Sequence, residues 1–93
     1  MGTFHDNLGE LHGITVVVDT RGPQVIVGRC HEANDQFVLL HDADVHEESP
    51  GGVSKSEWIT QATKWGVFPR HKILKVPAEQ VTSITPLGKI AGS

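Results

Sequence analysis

The chain has 93 residues, the length of one small domain, and its formal net charge at pH 7 is −3. A nucleic-acid-binding domain is usually basic, so the overall charge does not mark the chain as such a domain. Aromatic residues make up 5% of the chain and tyrosine is absent, so the core must consist mainly of Val, Ile and Leu. A domain of this size has a modest core and gains stability by association with copies of itself.

Cys30 is the single cysteine of the chain, which excludes an internal disulfide and fits a reducing compartment. A lone thiol is more often a small buried hydrophobe than a nucleophile. The sequence contains no signal peptide, and no apolar run approaches the roughly 20 residues that cross a bilayer. We therefore predict a cytoplasmic protein with no membrane partner.

The N-terminal segment, residues 1–12, carries Phe4, Leu8 and Leu11 at spacings of four and three. This spacing places the three side chains on one face of a helix. We predict a short N-terminal helix over residues 1–12 that ends at Gly13 and covers one open end of the sheet that follows.

Residues 13–46 contain three β-branched or apolar runs separated by turn signals, which is typical of three antiparallel strands. The first run, residues 14–19, is largely apolar on both faces, so we expect both faces to be covered. The second run contains Gly28, and a glycine inside a strand of a small barrel indicates a bend. The third run begins at Phe37.

Residues 47–70 interrupt the strand pattern with a loop and a helix. Residues 54–57 fit a capping box, and Gly66 is a typical residue to end the helix. Four apolar residues fall on one helical stripe, which we expect to pack against the sheet or a neighbouring subunit: Trp58, Ile59, Ala62 and Trp65.

Residues 71–87 resume the strand pattern as two strands joined by a turn at residues 77–80. The last strand, residues 81–85, is β-prone and uncharged, and an edge of this kind invites pairing with another chain. Residues 88–93 carry no packing signal, and we expect them to fray. We predict one domain over residues 1–93.

This order of elements resembles the Sm-like (LSm) family. Residues 16–28 look like the start of its first motif, with a strand, a turn glycine and a second strand that bends at a glycine. Residues 34–43 look like the rest, with a polar loop before an apolar strand that ends in Asp-Ala, and residues 73–84 would occupy the place of the second motif. The resemblance implies a mainly β fold: a five-stranded, bent antiparallel barrel with an N-terminal helix and a helix inserted between strands 3 and 4.

Proteins of that family typically form closed rings in which the last strand of one subunit pairs with the fourth strand of its neighbour, and they commonly bind single-stranded RNA at the inner rim. Here the loop before the third strand, residues 34–36, is one residue short, and Gln36 stands near the place of the usual stacking residue. The loop at residues 76–80 lacks the usual Arg-Gly pair. The resemblance therefore implies weak, poorly uridine-selective RNA binding. Our candidate RNA contacts are Asn34, Gln36, Lys72 and Lys75.

The sequence gives less support to a metal site or to an enzyme active site. On a regular strand Asp42, Asp44 and His46 share one face at steps of about 7 Å, so a divalent metal ion is a distant alternative that needs a further ligand from another element. We favour a solvated strand end that faces the basic fourth strand. Cys30 and His31 project to opposite faces of a strand, and the sequence has no phosphate-binding glycine loop or nucleophile elbow. We predict no enzyme activity and no cofactor.

Two functions remain open at this point. The first is a non-enzymatic Sm-like ring of identical subunits that binds single-stranded RNA weakly. The alternative is an oligomeric scaffold without RNA binding, whose helical insertion docks a protein partner. The fold resemblance favours the first, whereas the acidic net charge and the missing Arg-Gly pair favour the second.

Overall fold

The computed structural model describes residues 13–66 and 68–91. Five strands form one antiparallel sheet: β1 (Thr15–Thr20), β2 (Gln24–Ala33), β3 (Phe37–Glu47), β4 (His71–Pro77) and β5 (Val81–Pro86). Two helices complete the described chain: α1 (Lys55–Trp65) between β3 and β4, and α2 (Leu87–Ala91) after β5. The strand order β4-β3-β2-β1-β5 leaves β4 and β5 as the two edges of the sheet.

The mainly β architecture with a helix inserted between strands 3 and 4 is confirmed. The predicted turn between the last two strands is also present, as a single 3-10 turn at Ala78–Gln80. The predicted N-terminal helix, residues 1–12, lies outside the described residues. Neither described helix is long and apolar enough to cross a membrane.

The core has two parts, one on each face of the sheet. Val16 and Val18 of β1 lie in the larger cluster on one face, together with residues of all four other strands. Val17, between them, belongs to a smaller cluster on the opposite face, where Ala62 of α1 is buried. This alternation confirms that both faces of β1 are covered, and α1 is one of the elements that cover the second face.

The neighbouring strands β2 and β3 approach each other closely at Gly28. A Cβ atom added at Gly28 would lie 2.7 Å from the Cβ of Ala43 and 3.0 Å from its Cα, so only glycine lets the two backbones approach this closely. Opposite Gly28 the register shifts by one residue. The extra residue on β3 is Asp42, whose φ of 52° lies in the left-handed region, so this is a β-bulge.

We expect Gly28→Ala to lower the free energy of unfolding by about 1–3 kcal/mol, because the added methyl group overpacks the contact with Ala43. Gly22→Ala is the matched control, since a Cβ at Gly22 meets nothing within 4 Å and should change stability by no more than about 0.5 kcal/mol. Urea unfolding of the two variants measures the difference. Equal stabilities of the two variants would show that β2 and β3 do not approach this closely at Gly28.

Helix α1 is fixed at its start by two devices. The capping box is confirmed: the Ser54 hydroxyl accepts from the backbone N–H of Glu57 at 3.1 Å, and the Glu57 carboxylate reaches back to Ser54. Lys55, the first residue of α1, donates from Nζ to the Asp19 carboxylate at 2.8 Å and to the Gly22 carbonyl at 2.7 Å. These contacts hold the helix start against the turn between β1 and β2.

The predicted apolar stripe of α1 is only partly buried. Trp58 and Ile59 are half-buried and Ala62 is buried, whereas Trp65 is 80% exposed within the single chain, so its packing against a neighbouring subunit stays a prediction. Helical spacing places the four residues on one face, but it does not show how far the surface beneath the helix extends.

The prediction of a frayed tail over residues 88–93 is wrong for residues 88–91, which belong to α2. Leu87 and Ile90, three residues apart on one helical face, pack against the smaller core cluster beside α1. The sheet and the insertion together supply the apolar surface on which the segment after β5 packs. Residues 92–93 lie outside the described residues, and the single domain over residues 1–93 stays a prediction.

Candidate functional site

The two loops that the resemblance associates with RNA lie side by side in the structure. The backbone N–H of Ala78, in the turn between β4 and β5, donates to the carbonyl of Gln36 at 2.9 Å. Asn34, Asp35 and Gln36 line a shallow surface depression beside this contact. One edge of the molecule therefore presents both loops together, as a rim.

Asn34 shapes the first of these loops. Its side-chain oxygen accepts from the backbone N–H groups of Gln36 at 2.8 Å and Phe37 at 3.0 Å, and its side-chain nitrogen donates to the Glu32 carboxylate at 3.1 Å. This is the local side-chain hydrogen bonding by which asparagine stabilises turns. A bound base would have to replace the contact with Glu32 to use the amide.

The two candidate lysines do not lie together. Lys75 places its Nζ 4.5 Å from the ring centroid of Phe37, a cation–π contact directly beside the first loop. Lys72 lies three residues earlier on β4, about 10 Å along the strand. The odd spacing also turns it to the opposite face, the one from which Leu74 and Val76 enter the larger core cluster. The structure thus groups Asn34, Gln36 and Lys75 and separates Lys72 from them.

The rim is not strongly positive. The exposed carboxylates of Glu32, Asp35 and Glu79 belong to the two loops or flank them, where each repels a phosphate by ordinary Coulomb repulsion. Lys75 is the candidate cation nearest to them. Whether these residues contact RNA stays a prediction.

The metal alternative rests on a regular strand, and the β-bulge at Asp42 breaks that regularity. Asp42 forms an ion pair with Arg29 at 2.9 Å, Asp44 is buried, and the Nε2 atom of His46 lies 2.7 Å from the carbonyl of Val53. Within residues 13–66 and 68–91, no three His, Cys, Asp or Glu side chains form a group that could hold a metal ion.

Cys30 lies in the larger core cluster and is 1% exposed. Burial raises the pKa of its thiol above the ordinary value. At neutral pH the group is therefore protonated and has little nucleophilic character, in agreement with its interpretation as a small buried hydrophobe.

A second surface was not anticipated from the sequence as a unit. A cleft of about 290 Å³ opens beside α1 and is lined by Asp44, Trp58, Gln61, Ala62, Trp65, Gly66 and Phe68. Trp65 is 80% and Phe68 is 70% exposed, whereas Asp44 is 6% exposed. We call this cleft the α1 cleft. The aromatic residues were visible in the sequence, but the burial of Asp44 depends on the bulge that precedes it.

The carboxylate of Asp44 has one hydrogen bond and one longer ion pair among the described residues. It accepts from the backbone N–H of the next residue, Val45, at 3.0 Å. The Nε atom of Arg70 lies 3.7 Å away, beyond hydrogen-bonding distance. The α1 cleft therefore combines exposed aromatic rings with a buried carboxylate that can accept a further donor.

No protein-family model and no curated protein matches the chain. Comparison with solved structures finds a heptameric archaeal Sm protein at 20% sequence identity, with a TM-score of 0.55 over 86% of this chain and 94% of that one. The SmAP1 heptamer of P. aerophilum is 19% identical, with a TM-score of 0.57 over 92% of this chain and 95% of that one. The chain has an Sm-like fold. At these identities the similarity establishes the Sm-like fold alone.

A chain in the crystal structure of the NatC complex bound to CoA is similar to the same extent, at 17% identity, with a TM-score of 0.56 over 90% of this chain and 92% of that one. The predicted resemblance to the Sm-like fold is confirmed by the two Sm structures.

Proposed function

We propose that the protein is a non-enzymatic Sm-like protein that assembles into a homo-oligomeric ring and binds single-stranded RNA weakly at the rim. The observation that carries the proposal is the pair of free sheet edges. Within residues 13–66 and 68–91, strand β4 pairs only with β3 and β5 pairs only with β1, and the two edge strands have similar lengths of 7 and 6 residues.

Pairing between these edges satisfies the backbone groups of both strands. An unprotected edge is a template for another strand, and β5 carries no charged residue that would oppose pairing. Because β4 of one copy meets β5 of the next, the contact is head-to-tail and closes into a ring when the rotation per subunit allows it. The solved structures of similar fold include two proteins described as heptamers.

Sedimentation of the purified protein at micromolar concentration tests the assembly. We expect an oligomer, because pairing adds burial to a small domain. A protein that sediments as a monomer throughout this range would contradict the ring.

The RNA-binding part rests on the rim. The two loops are hydrogen-bonded to each other, Gln36 is exposed between them, and Lys75 supplies a cation. The neighbouring carboxylates lower the affinity, and Gln36 offers hydrogen bonds without an aromatic face for stacking. Weak binding with little preference for uridine follows.

We expect Lys75→Ala to weaken RNA binding and to reduce the slope of log K against log salt by up to about one, since each phosphate contact releases counterions. An electrophoretic shift with single-stranded RNA at several salt concentrations measures both quantities. Lys64→Ala is the matched control, because Lys64 is exposed on α1, away from the rim. If the parent binds RNA tightly and Lys72→Ala/Lys75→Ala keeps the same affinity and the same salt dependence, the RNA site does not include these lysines.

The second candidate function is a protein-interaction scaffold. The exposed aromatic rings of Trp65 and Phe68 on the inserted helix and the segment after it favour this function, and the fold also occurs in a chain of the NatC complex. Absence of RNA binding by an oligomeric parent at low salt would favour the scaffold over the RNA-binding ring.

A further inference from the structure

The two helices lie on the same face of the sheet. Ala62 of α1 and both Leu87 and Ile90 of α2 pack against the smaller core cluster, which contains Val17 of β1 and Val27 of β2. One flank of α1 is therefore occupied by α2 of its own chain. The α1 cleft lies between Asp44 of β3, the side of α1 that runs from Trp58 to Gly66, and Phe68 in the segment that leads to β4.

We propose that the α1 cleft is filled by α2 of the neighbouring copy, with Lys89 of that copy facing Asp44. The inference rests on the proposed ring and adds a side-chain contact to the pairing of its strand edges. Three features support it: the direction in which the edges pair, the exposed residues of α2, and the chemistry of the cleft.

Antiparallel pairing brings the start of β4 against the end of the neighbour's β5. Every strand pair in the sheet is antiparallel, and this pairing is the more stable one per residue. His71, the first residue of β4, then lies opposite Pro86 of the neighbouring copy, and α2 follows Pro86 directly. His71 pairs with Ala43 on β3, so pairing over the full length of both strands brings the start of the neighbour's α2 to within two interstrand spacings, about 10 Å, of Ala43 and the adjacent Asp44.

The face on which α2 arrives follows from the core. Val76 of β4 and both Val81 and Ile84 of β5 belong to the larger cluster. Pairing that keeps these residues on one face of a continuous sheet avoids exposing them. It leaves the neighbour's α2 on the opposite face, which is the face that carries α1. Helices α1 and α2 then alternate around the outside of the ring.

The exposed residues of α2 suit the cleft. Leu87 and Ile90 pack within their own chain, whereas Gly88 and Lys89 are exposed. A Cβ at Gly88 would meet nothing within 4 Å, so this side of the helix is open to a neighbour and is flat enough for the ring of Trp65 to approach. The methylene stem of Lys89 can lie along the aromatic rings while its ammonium group reaches the carboxylate.

The carboxylate of Asp44 gains most from this contact. A nearly buried carboxylate is stabilised by each charged donor near it, and among the described residues Asp44 accepts from the N–H of Val45 and forms a 3.7 Å ion pair with Arg70. An ammonium group from the next copy adds a charged donor. The aromatic rings exclude water around it, which strengthens the pair.

Crosslinking tests the placement directly. The variant Gln61→Cys/Gly88→Cys puts one thiol in the cleft and one on α2, and Cys30 is too buried to react. With a short bifunctional maleimide we expect covalent multimers on a denaturing gel. The single variants Gln61→Cys and Gly88→Cys are the controls and should remain monomeric on the gel, because the contact joins two different surfaces.

The strength of the contact is measured by the concentration at which the oligomer half-dissociates. We expect Lys89→Glu and Trp65→Ala/Phe68→Ala each to raise this concentration by about tenfold or more, as for central interface residues. Arg21→Glu changes the charge equally at the far end of β1 and should have little effect. Suppose that the parent is an oligomer, that the double-cysteine variant gives no covalent multimers, and that Lys89→Glu and Trp65→Ala/Phe68→Ala dissociate at the same concentration as the parent. These results together would overturn the inference but not the ring. A monomeric parent would overturn both.

Discussion

We expect the Thr82→Pro variant to sediment as a monomer at concentrations at which the parent protein is an oligomer. Proline has no backbone N–H and therefore removes one donor from the free edge of β5, and its ring obstructs the approach of a partner strand. The concentration for half-dissociation should rise by at least about a hundredfold, which corresponds to roughly 2.7 kcal/mol of association free energy.

The position of Thr82 makes this substitution selective. Val81 pairs with Thr20 and Ser83 pairs with Asp19 on β1, and the register shift between these pairs leaves Thr82 without a partner on β1. Its side chain is exposed. Proline at this bulge should therefore spare the pairing of β5 within its own chain, since bulges are among the positions in sheets that accept proline.

Two measurements complete this test. Thr82→Ala keeps the backbone N–H and should remain oligomeric. Circular dichroism should show the same strand content for Thr82→Pro and the parent, which separates loss of assembly from loss of fold. If folded Thr82→Pro sediments like the parent, the copies do not associate through β5.

The strand pattern was predictable because it depends on local chemistry. The apolar residues on both faces of residues 14–19 indicate a strand covered twice, and the structure places Val16 and Val18 in one cluster and Val17 in the other. Gly28 indicated a special position in β2 because few other residues let two neighbouring backbones approach closely. The capping box at Ser54 likewise needs only residues within one helical turn.

The errors arise where the outcome depends on distant parts of the chain. The left-handed conformation of Asp42 accommodates the close approach of β2 and β3 at Gly28. No feature of residues 41–47 alone reveals this conformation. The exposure of Trp65 within the single chain likewise depends on how far the sheet extends beneath α1, which helical spacing does not show. Helix α2 is too short to be stable by itself, and Leu87 and Ile90 pack on a surface formed by the sheet and α1.

In the candidate site too, the features set by local sequence were predictable and those set by packing were not. The resemblance correctly brought the two loops to one rim, as the hydrogen bond between Ala78 and Gln36 shows. The separation of Lys72 from Lys75 was already present in the sequence, since an odd spacing within a strand places two residues on opposite faces. The α1 cleft depends on the packing of α1 against β3, so spacing alone does not predict it.

We expect Ala62→Asp to lower the free energy of unfolding by about 3 kcal/mol, because it places an unpaired carboxylate in a buried contact. Ala62 is the buried residue of α1 and packs with Val17, Val25 and Val27 of the sheet. Loss of α1 from the sheet would also remove the surface on which α2 forms.

Gln61→Asp is the matched control for this substitution. It introduces the same side chain at the neighbouring helix position, where the side chain is exposed, so the cost in helix propensity is the same and the burial cost is absent. We expect a change of no more than about 0.7 kcal/mol for it in urea unfolding. A similar loss in both variants would mean that α1 does not rest on the sheet, and the second half of the core would then need another cover for Val17.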